Sequence, residues 1–407
     1  MPPRAMNVVA LRTVTSEHRP LPALAGRIAR IEVFDDMTSA EPHWRALERA
    51  ETLATPYQRY DFLALWQRHV GAEAGFTPFI VVGFDAIGTP LFLLPLGRRP
   101  LGRWTVVEFL GGKHANFNMG LWRRDCIAAV GADTLRAVLK SLAGRADLLM
   151  LRNQSLTWDG TTNPFALLPH QRAANLGFSG ALASDFEALL RARTGAAARK
   201  KMRKKERTLA GFGAVRLERA ESAAQAHRVL DAFFKQKSAR MRRIGVADAF
   251  AEAEVRRFIE AAVAERLADG NPLIELYALS VDDIIVATMG GIVGDGRFCG
   301  MFNSITEGRY AIESPGEQLL VNLVRRCCER GLKTFDLGIG EAHYKHLFCG
   351  DAEPLFDSFL PLSPAGRMLA ALAVLLEAGK RTIKQHALLW STVRAIRRLR
   401  AKFAAAR

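Results

Sequence analysis

No CxxC pair occurs in the sequence, and its five cysteines (Cys126, Cys299, Cys327, Cys328 and Cys349) are scattered apart from one adjacent couple in a stretch of helical character. A disulfide between helical neighbours would be strained. The five therefore read as reduced thiols of a reducing compartment, which excludes a disulfide-stapled scaffold. Long apolar runs are missing too: the longest candidate, Met368 to Leu376, falls far short of the roughly 18 residues a membrane span needs. The opening MPPRAMNVVALRTVTSEHRP holds only a short apolar run before polar residues and proline return. It lacks the apolar core of a signal peptide, and residues 1–26 are expected to be a flexible tail. Together these absences predict a cytoplasmic protein, soluble or at most peripheral to a membrane. There is no GxSxG elbow, which removes the serine hydrolases that depend on it. His343 and His346 lie three apart, yet apart from Glu341 on another face no cysteine or carboxylate stands at ligand spacing, so no metal is expected.

What is present is a chain of 407 residues, 49% hydrophobic and 24% charged, enough to fill two cores of ordinary domain size. Its net charge of +16 is concentrated in two places. Nine basic residues face one acidic residue between Arg191 and Arg207, and ten face one from Ser363 onward. The remainder is close to neutral.

Periodicity gives a repeated plan. RIARIEVFDD (27–36) reads as a strand, followed by helices around 41–52 and 57–70, the second with Phe62, Leu65, Trp66 and His69 on one face. Apolar runs at 76–84, 91–96 and 104–110 suit consecutive strands, then come a helix over 128–142 and a buried strand over 146–153. The polar segment 154–180 reads as a connection. A basic helix over 185–210 opens the second half, then a strand (213–218), helices (220–240 and 250–269), strands (273–280, 284–293 and 297–304), a helix (316–330), a strand (333–339) and a short helix (341–348). Each half thus runs strand, two helices, three strands, helix, strand, which predicts an internal duplication. The expected units are 27–180 and 181–362. Beyond Ser363, Leu372, Leu375, Leu376, Ile383, Leu389, Val393 and Ile396 recur at helical spacing opposite Arg and Lys, giving an appended basic amphipathic helix over 363–407 with Gly379 as a candidate break.

The stretch 310–348 carries the most chemistry. In SPGE (314–317), Pro315 and Gly316 stand where a first helical turn tolerates them, and first-turn amides at the positive end of a helix dipole can hold a phosphate. The next strand delivers Asp336, and FDLGIGEAHYKHLF (335–348) turns through Gly338 and Gly340 towards Tyr344 and Lys345. Without a third glycine or a following βαβ unit, a dinucleotide fold is a weak match. Asn116 and Asn118 in GGKHANFNMG (111–120) are candidates for lining a cleft between the halves, or simply for a polar turn.

On these residues the sequence resembles the CelD-like GNAT acetyltransferases, a family associated with bacterial exopolysaccharide and cellulose production and related to the FemAB peptidoglycan aminoacyltransferases. SPGEQLL followed by GLKTFDLGIGEAHYKHLF carries the resemblance most specifically. TPYQRYDFLALWQRHVG (55–71) is similar to the family's opening segment, and RKKMRKKERTL (199–209) to the start of its acetyltransferase domain. The resemblance covers about residues 30–362 and implies an α/β (α+β) fold of tandem GNAT-like domains, each a mixed, mostly antiparallel sheet flanked by helices, with only the second keeping the acyl-CoA site. It maps the donor's pyrophosphate to Ser314, Pro315, Gly316 and Glu317, although this loop departs from the usual RxxGxG pattern. It implies Tyr344 as the acid for the departing thiolate. Acyl transfer to an amine also needs a base and an oxyanion partner; Asp336 is the candidate base or ammonium partner, and Lys345 the candidate partner for phosphate or oxyanion.

Three functions compete. The first is acyl-CoA-dependent N- or O-acylation of a glycan precursor or related envelope metabolite. The second is a FemAB-like transferase using aminoacyl-tRNA, in which the basic run at 199–207 contacts RNA phosphates. The third is a non-catalytic scaffold for exopolysaccharide or cellulose synthesis, docked on anionic membrane through Arg394, Arg397, Arg398, Arg400 and Lys402, although a helix packed on the protein body gives the same pattern.

Overall fold

In the computed structural model, which describes residues 27–385, the apolar runs of the first half become strands buried on both faces. β1 (Arg30–Phe34) leads into α1 (Met37–Arg49), where the Asp36 carboxylate accepts from the Ser39 amide at 2.7 Å and so caps the helix that buries Trp44 and Leu47. β2 (Thr52–Leu53), α2 (Tyr60–Trp66), β3 (Thr77–Phe84), β4 (Pro90–Leu101), β5 (Trp104–Phe109), β6 (Leu121–Arg123), α3 (Arg124–Ile127), α4 (Ala132–Ser141) and β7 (Leu148–Ser155) follow. A small hairpin, β8 (Thr157–Trp158) and β9 (Thr161–Thr162), precedes β10 (Gln171–Ala181).

The second half opens with α5 (Phe186–Arg193) and α6 (Ala196–Ala210). The sequence predicts one helix here; Thr194 and Gly195 take extended backbone and divide it. After β11 (Val215–Arg219), a Ser222–Gln225 capping box starts α7 (Ala223–Ile244), and Gly245 at φ 65° ends it. α8 (Ala253–Ala264), β12 (Glu275–Val281), β13 (Ile284–Gly294), β14 (Arg297–Ile305), α9 (Pro315–Glu329), β15 (Thr334–Ile339), β16 (Asp351–Pro361) and α10 (Pro364–Gln385) complete the order. The short helix carrying Tyr344 is a 3-10 turn, His343–Leu347.

The strands form one mixed sheet in the order β1-β3-β4-β5-β7-β16-β10-β15-β14-β13-β12-β11, with β6 beside β4 and β2 beside β6. Within each half the fourth and fifth large strands pair in parallel, β5 with β7 and β14 with β15. The remaining partners are antiparallel. The last strand of each half crosses over. β10 pairs with β15 of the second half, β16 pairs with β7 of the first, and β10 and β16 pair with each other. Neither crossing strand is an apolar run, and the sequence plan contains neither. β10 lies in the segment read as a connection, and β16 carries Asp351, Glu353, Pro354 and Asp357.

α10 lies over this central seam, with Leu369, Ala370 and Ala373 packed on Val106, Leu148, Met150 and Phe359. It runs through Gly379 without a break. Leu372, Leu375 and Leu376 face outward and are 54%, 70% and 57% exposed. Among the described residues no helix is long and apolar enough to cross a membrane. The expected tail 1–26 and the residues from 386 on, including Leu389, Val393, Arg394, Ile396, Arg397, Arg398, Arg400 and Lys402, lie outside the described residues.

Candidate active site

β14 and β15 are paired only through Arg297↔Thr334, Phe298↔Phe335 and Cys299↔Asp336. Two features of the sequence make them part. The β13 partner of β14 shifts from Gly291↔Gly300 to Gly290↔Phe302, so Met301 is an extra residue, a bulge that bends β14. On the other side β15 turns towards β10, pairing Ile339 with Gly177, and Gly338 takes φ 71°, which a side chain rarely tolerates. The result is a wedge whose β14 edge beyond Cys299 has no strand partner on that side among the described residues.

The first half closes the apex of this wedge. Asn116 Nδ2 donates to the Gly300 carbonyl at 3.1 Å and to the buried Tyr57 hydroxyl at 2.9 Å. Its side chain occupies the space a Cβ on Gly338 would need, the nearest atom being 2.4 Å away. Of the two asparagines suggested for a cleft between the halves, Asn116 is thus a strut across it, while Asn118 Nδ2 donates to the Arg152 carbonyl at 3.0 Å within the first half.

Tyr344 stands over the wedge, 41% exposed, with its hydroxyl directed at the Asn303 side chain on β14. Burial of the hydroxyl raises its pKa above the ordinary 10.0, while the Asn303 bond acts the other way. From α7, Lys237 Nζ donates to the Asn303 carbonyl at 3.2 Å, and burial against Phe250 lowers its pKa. Two titratable groups from different elements therefore converge on one residue of the unpaired edge. Behind Lys237, Gln236 Oε1 accepts from Ser304 Oγ at 2.7 Å, and Ser304 bonds Thr288 at 2.7 Å, a polar chain on the same wall. Lys237 has no distinguishing signal in the sequence, where it is one of several cations towards the end of a basic helix.

At the α9 end, Ser314 holds φ 53°, a costly conformation for serine, and gives the helix no side-chain cap. Its Oγ accepts from Lys205 Nζ at 2.7 Å, and Lys205 also pairs with Glu317 at 3.2 Å. Lys205 comes from α6, so the basic helix delivers a cation to the turn formed by Pro315, Gly316 and Glu317.

Asp336 and Lys345 sit beneath the wedge. Asp336 is fully buried; its Oδ1 accepts from the Gly338 amide at 2.5 Å and its Oδ2 from Arg297 Nε at 2.9 Å. Arg297 forks onward to Glu353 at 2.9 Å, Glu353 accepts from Ser179 Oγ at 2.5 Å, and Trp158 roofs the guanidinium 4.1 Å from its ring centre. Lys345, 4% exposed, spends its ammonium on the Gly338 and Ile339 carbonyls at 3.1 and 2.9 Å, and burial lowers its pKa to about 8. Both side chains fix the Gly338–Gly340 turn. An arginine directly after an Asp-Gly turn and an aspartate inside TFDLGI, each in an otherwise apolar strand, are the sequence signal for this ion pair.

Burial pushes Asp336 up from 3.8 to about 6 against the pull of Arg297, and burial likewise raises Asp357 to about 6. Between those limits each carboxyl binds its proton more tightly folded than unfolded. Their contribution is therefore greatest below pH 4 and is lost as the pH climbs through 6. The double variant Asp336→Asn and Asp357→Asn is expected to gain melting temperature relative to the parent as pH rises from about 4 to about 6, then to hold that gap. A gap independent of pH would contradict the assignment.

A cleft of about 710 Å³ lies at the far end of β14, beside the β13–β14 turn, with Arg59, Arg266, Lys333 and Asp295 among its walls. It contains neither Tyr344 nor the α9 terminus. Among the described residues no group of three His, Cys, Asp or Glu side chains is placed to hold a metal ion.

Residues 196–346 match the acetyltransferase (GNAT) domain. The matched acetyltransferase domain runs from α6 to the 3-10 turn bearing Tyr344 and Lys345 and so contains the whole wedge except its Asn116 strut. No curated protein sequence shows significant similarity to the chain. Among solved structures, FemX is similar with a TM-score of 0.53 at 10% identity, covering 81% of this chain and 98% of that one. A conserved protein of unknown function from Bacteroides thetaiotaomicron VPI-5482 is similar with a TM-score of 0.50 at 12% identity, covering 81% and 99%. At these identities the likeness is one of fold. It extends well beyond the acetyltransferase domain into the first half.

Proposed function

We propose that the chain is a GNAT-type acyltransferase that takes an acyl group from a phosphopantetheine thioester, acyl-CoA in the first instance, and passes it to an amine or hydroxyl of a glycan precursor or related envelope metabolite. The convergence of Tyr344 and Lys237 on Asn303 at the unpaired β14 edge carries this reading. A pantetheine arm has two amide groups, and an unpaired strand edge is the surface that hydrogen-bonds them. Ser314, Gly316 and Lys205 are the groups for the phosphate end, with Pro315 and Glu317 shaping the turn.

In this reading Tyr344 gives its proton to the departing thiolate; its raised pKa keeps that proton in place until the thiolate forms. Lys237, with its lowered pKa, takes the proton from the acceptor. Asp336, bound to Arg297, and Lys345, bound to two carbonyls, act as positioning residues that hold the turn beneath Tyr344. The CelD-like resemblance supports an envelope-polysaccharide acceptor.

Calorimetric titration with acetyl-CoA and longer acyl-CoAs tests the donor site. Binding is expected, and Gly316→Trp should abolish it, because a Cβ at Gly316 already meets Ile305 Cγ2 at 2.9 Å and the larger ring fills the turn. Failure of the folded protein to bind any acyl thioester would overturn the reading.

A further inference from the structure

Helix α6 is charged at a cost to itself. Lys200, Lys201, Arg203, Lys204 and Arg207 are exposed, and among the described residues none forms an ion pair. They stand three and four apart, where like charges repel along a helix. Only Glu206 opposes them within the helix. The inward side anchors the helix through Met202 and Leu209 and sends Lys205 to Ser314 and Glu317. A solvated face needs no such density, and this one borders the α9 terminus.

We propose that the exposed face of α6 docks an acidic acyl carrier protein, which delivers the acyl group on its phosphopantetheine arm into the wedge. The inference rests on the reading of the wedge as the donor site. At about 1.5 Å per residue the 15-residue helix is roughly 22 Å long, the footprint of one facing helix.

The α9 turn favours one phosphate over several. Pro315 has no N–H, and the Glu317 and Gln318 amides are turned to the Ser314 carbonyl at 2.9 and 3.2 Å, which leaves Gly316 and Lys205 as donors. The Glu317 carboxylate stands beside them, opposing the several phosphates of a nucleotide donor. A carrier arm has a single phosphodiester; the remaining negative charge lies on the carrier's surface, where α6 meets it. Aminoacyl-RNA fits less well. Its ester-linked end brings a ribose and a base in place of the two amides that suit β14, and Glu313 and Glu317 interrupt the basic surface on the α9 side. In the transfer the carbonyl–sulfur bond breaks, a carbonyl–nitrogen or carbonyl–oxygen bond forms, and the proton lost by the acceptor is balanced by the one Tyr344 gives to the carrier's thiol.

Binding of octanoyl-loaded acyl carrier protein, octanoyl-CoA and bulk tRNA, each measured at low salt with the full chain and with a K200E/K201E/R203E/K204E variant, tests this. The loaded carrier is expected to bind about tenfold tighter than octanoyl-CoA, and charge reversal to weaken the carrier alone by at least about tenfold. An unchanged melting temperature in the variant separates loss of docking from loss of folding. Octanoyl-CoA bound as tightly as the carrier would overturn the docking surface and leave the donor site standing. Preference for tRNA, lost on charge reversal, would replace the carrier with RNA. Binding of neither thioester would overturn both readings.

Discussion

Arg297→Met is expected to destabilise the protein by about 3–5 kcal/mol in urea unfolding, more than any other single charge deletion at the site. The guanidinium is the cation between Asp336 and Glu353; without it a fully buried carboxylate loses its partner and a second one faces it across the gap. Arg297→Lys should recover only part of the loss, because an ammonium cannot fork to two carboxylates in one plane. Asp336→Asn should cost less than Arg297→Met, since Arg297 keeps Glu353 and no buried charge is stranded. A loss below about 1 kcal/mol for Arg297→Met would mean that water reaches the pair.

Tyr344→Phe is expected to lower turnover by about 10²–10⁴-fold, measured as thiol release with an acceptor found by screening, while donor binding changes little. The residue is 41% exposed and its hydroxyl contacts Asn303, so removing one oxygen should leave the melting temperature within about a degree or two. Lys237→Met should differ in kind by flattening the rise of rate with pH, which Tyr344→Phe keeps. If Tyr344→Phe retains full turnover, the thiolate takes its proton from solvent and the proposed acid is wrong.

The sequence made the mixed fold and the duplicated plan legible because most strands are apolar runs punctuated by glycine and proline. Both crossing strands escaped for one reason. β10 (QRAANLGFSGA) and β16, with Asp351, Glu353, Pro354 and Asp357, are specified by ladders on both edges and by partners such as Arg297, and a one-dimensional pattern does not display those. The turn through Gly338 and Gly340 was legible as a turn; the grip of Asp336 and Lys345 on it was not, since both depend on carbonyls and cations remote in sequence. Lys237 was invisible for want of any local peculiarity.

The crossing of β10 and β16 has a consequence for synthesis. While the chain leaves the ribosome, β7 waits with an open edge for partners 200 to 213 positions further on, and β10 waits for partners 153 to 162 positions away in β15. The first half therefore emerges unfinished, with a sticky strand border that only the final part of the sheet can seal. A stalled ribosome or a premature stop shortly before residue 351 would release a chain whose two cores are nearly complete but whose seam is unmade. Such a chain is a substrate for chaperones and proteases, so quality control of this protein is decided when β16 is made.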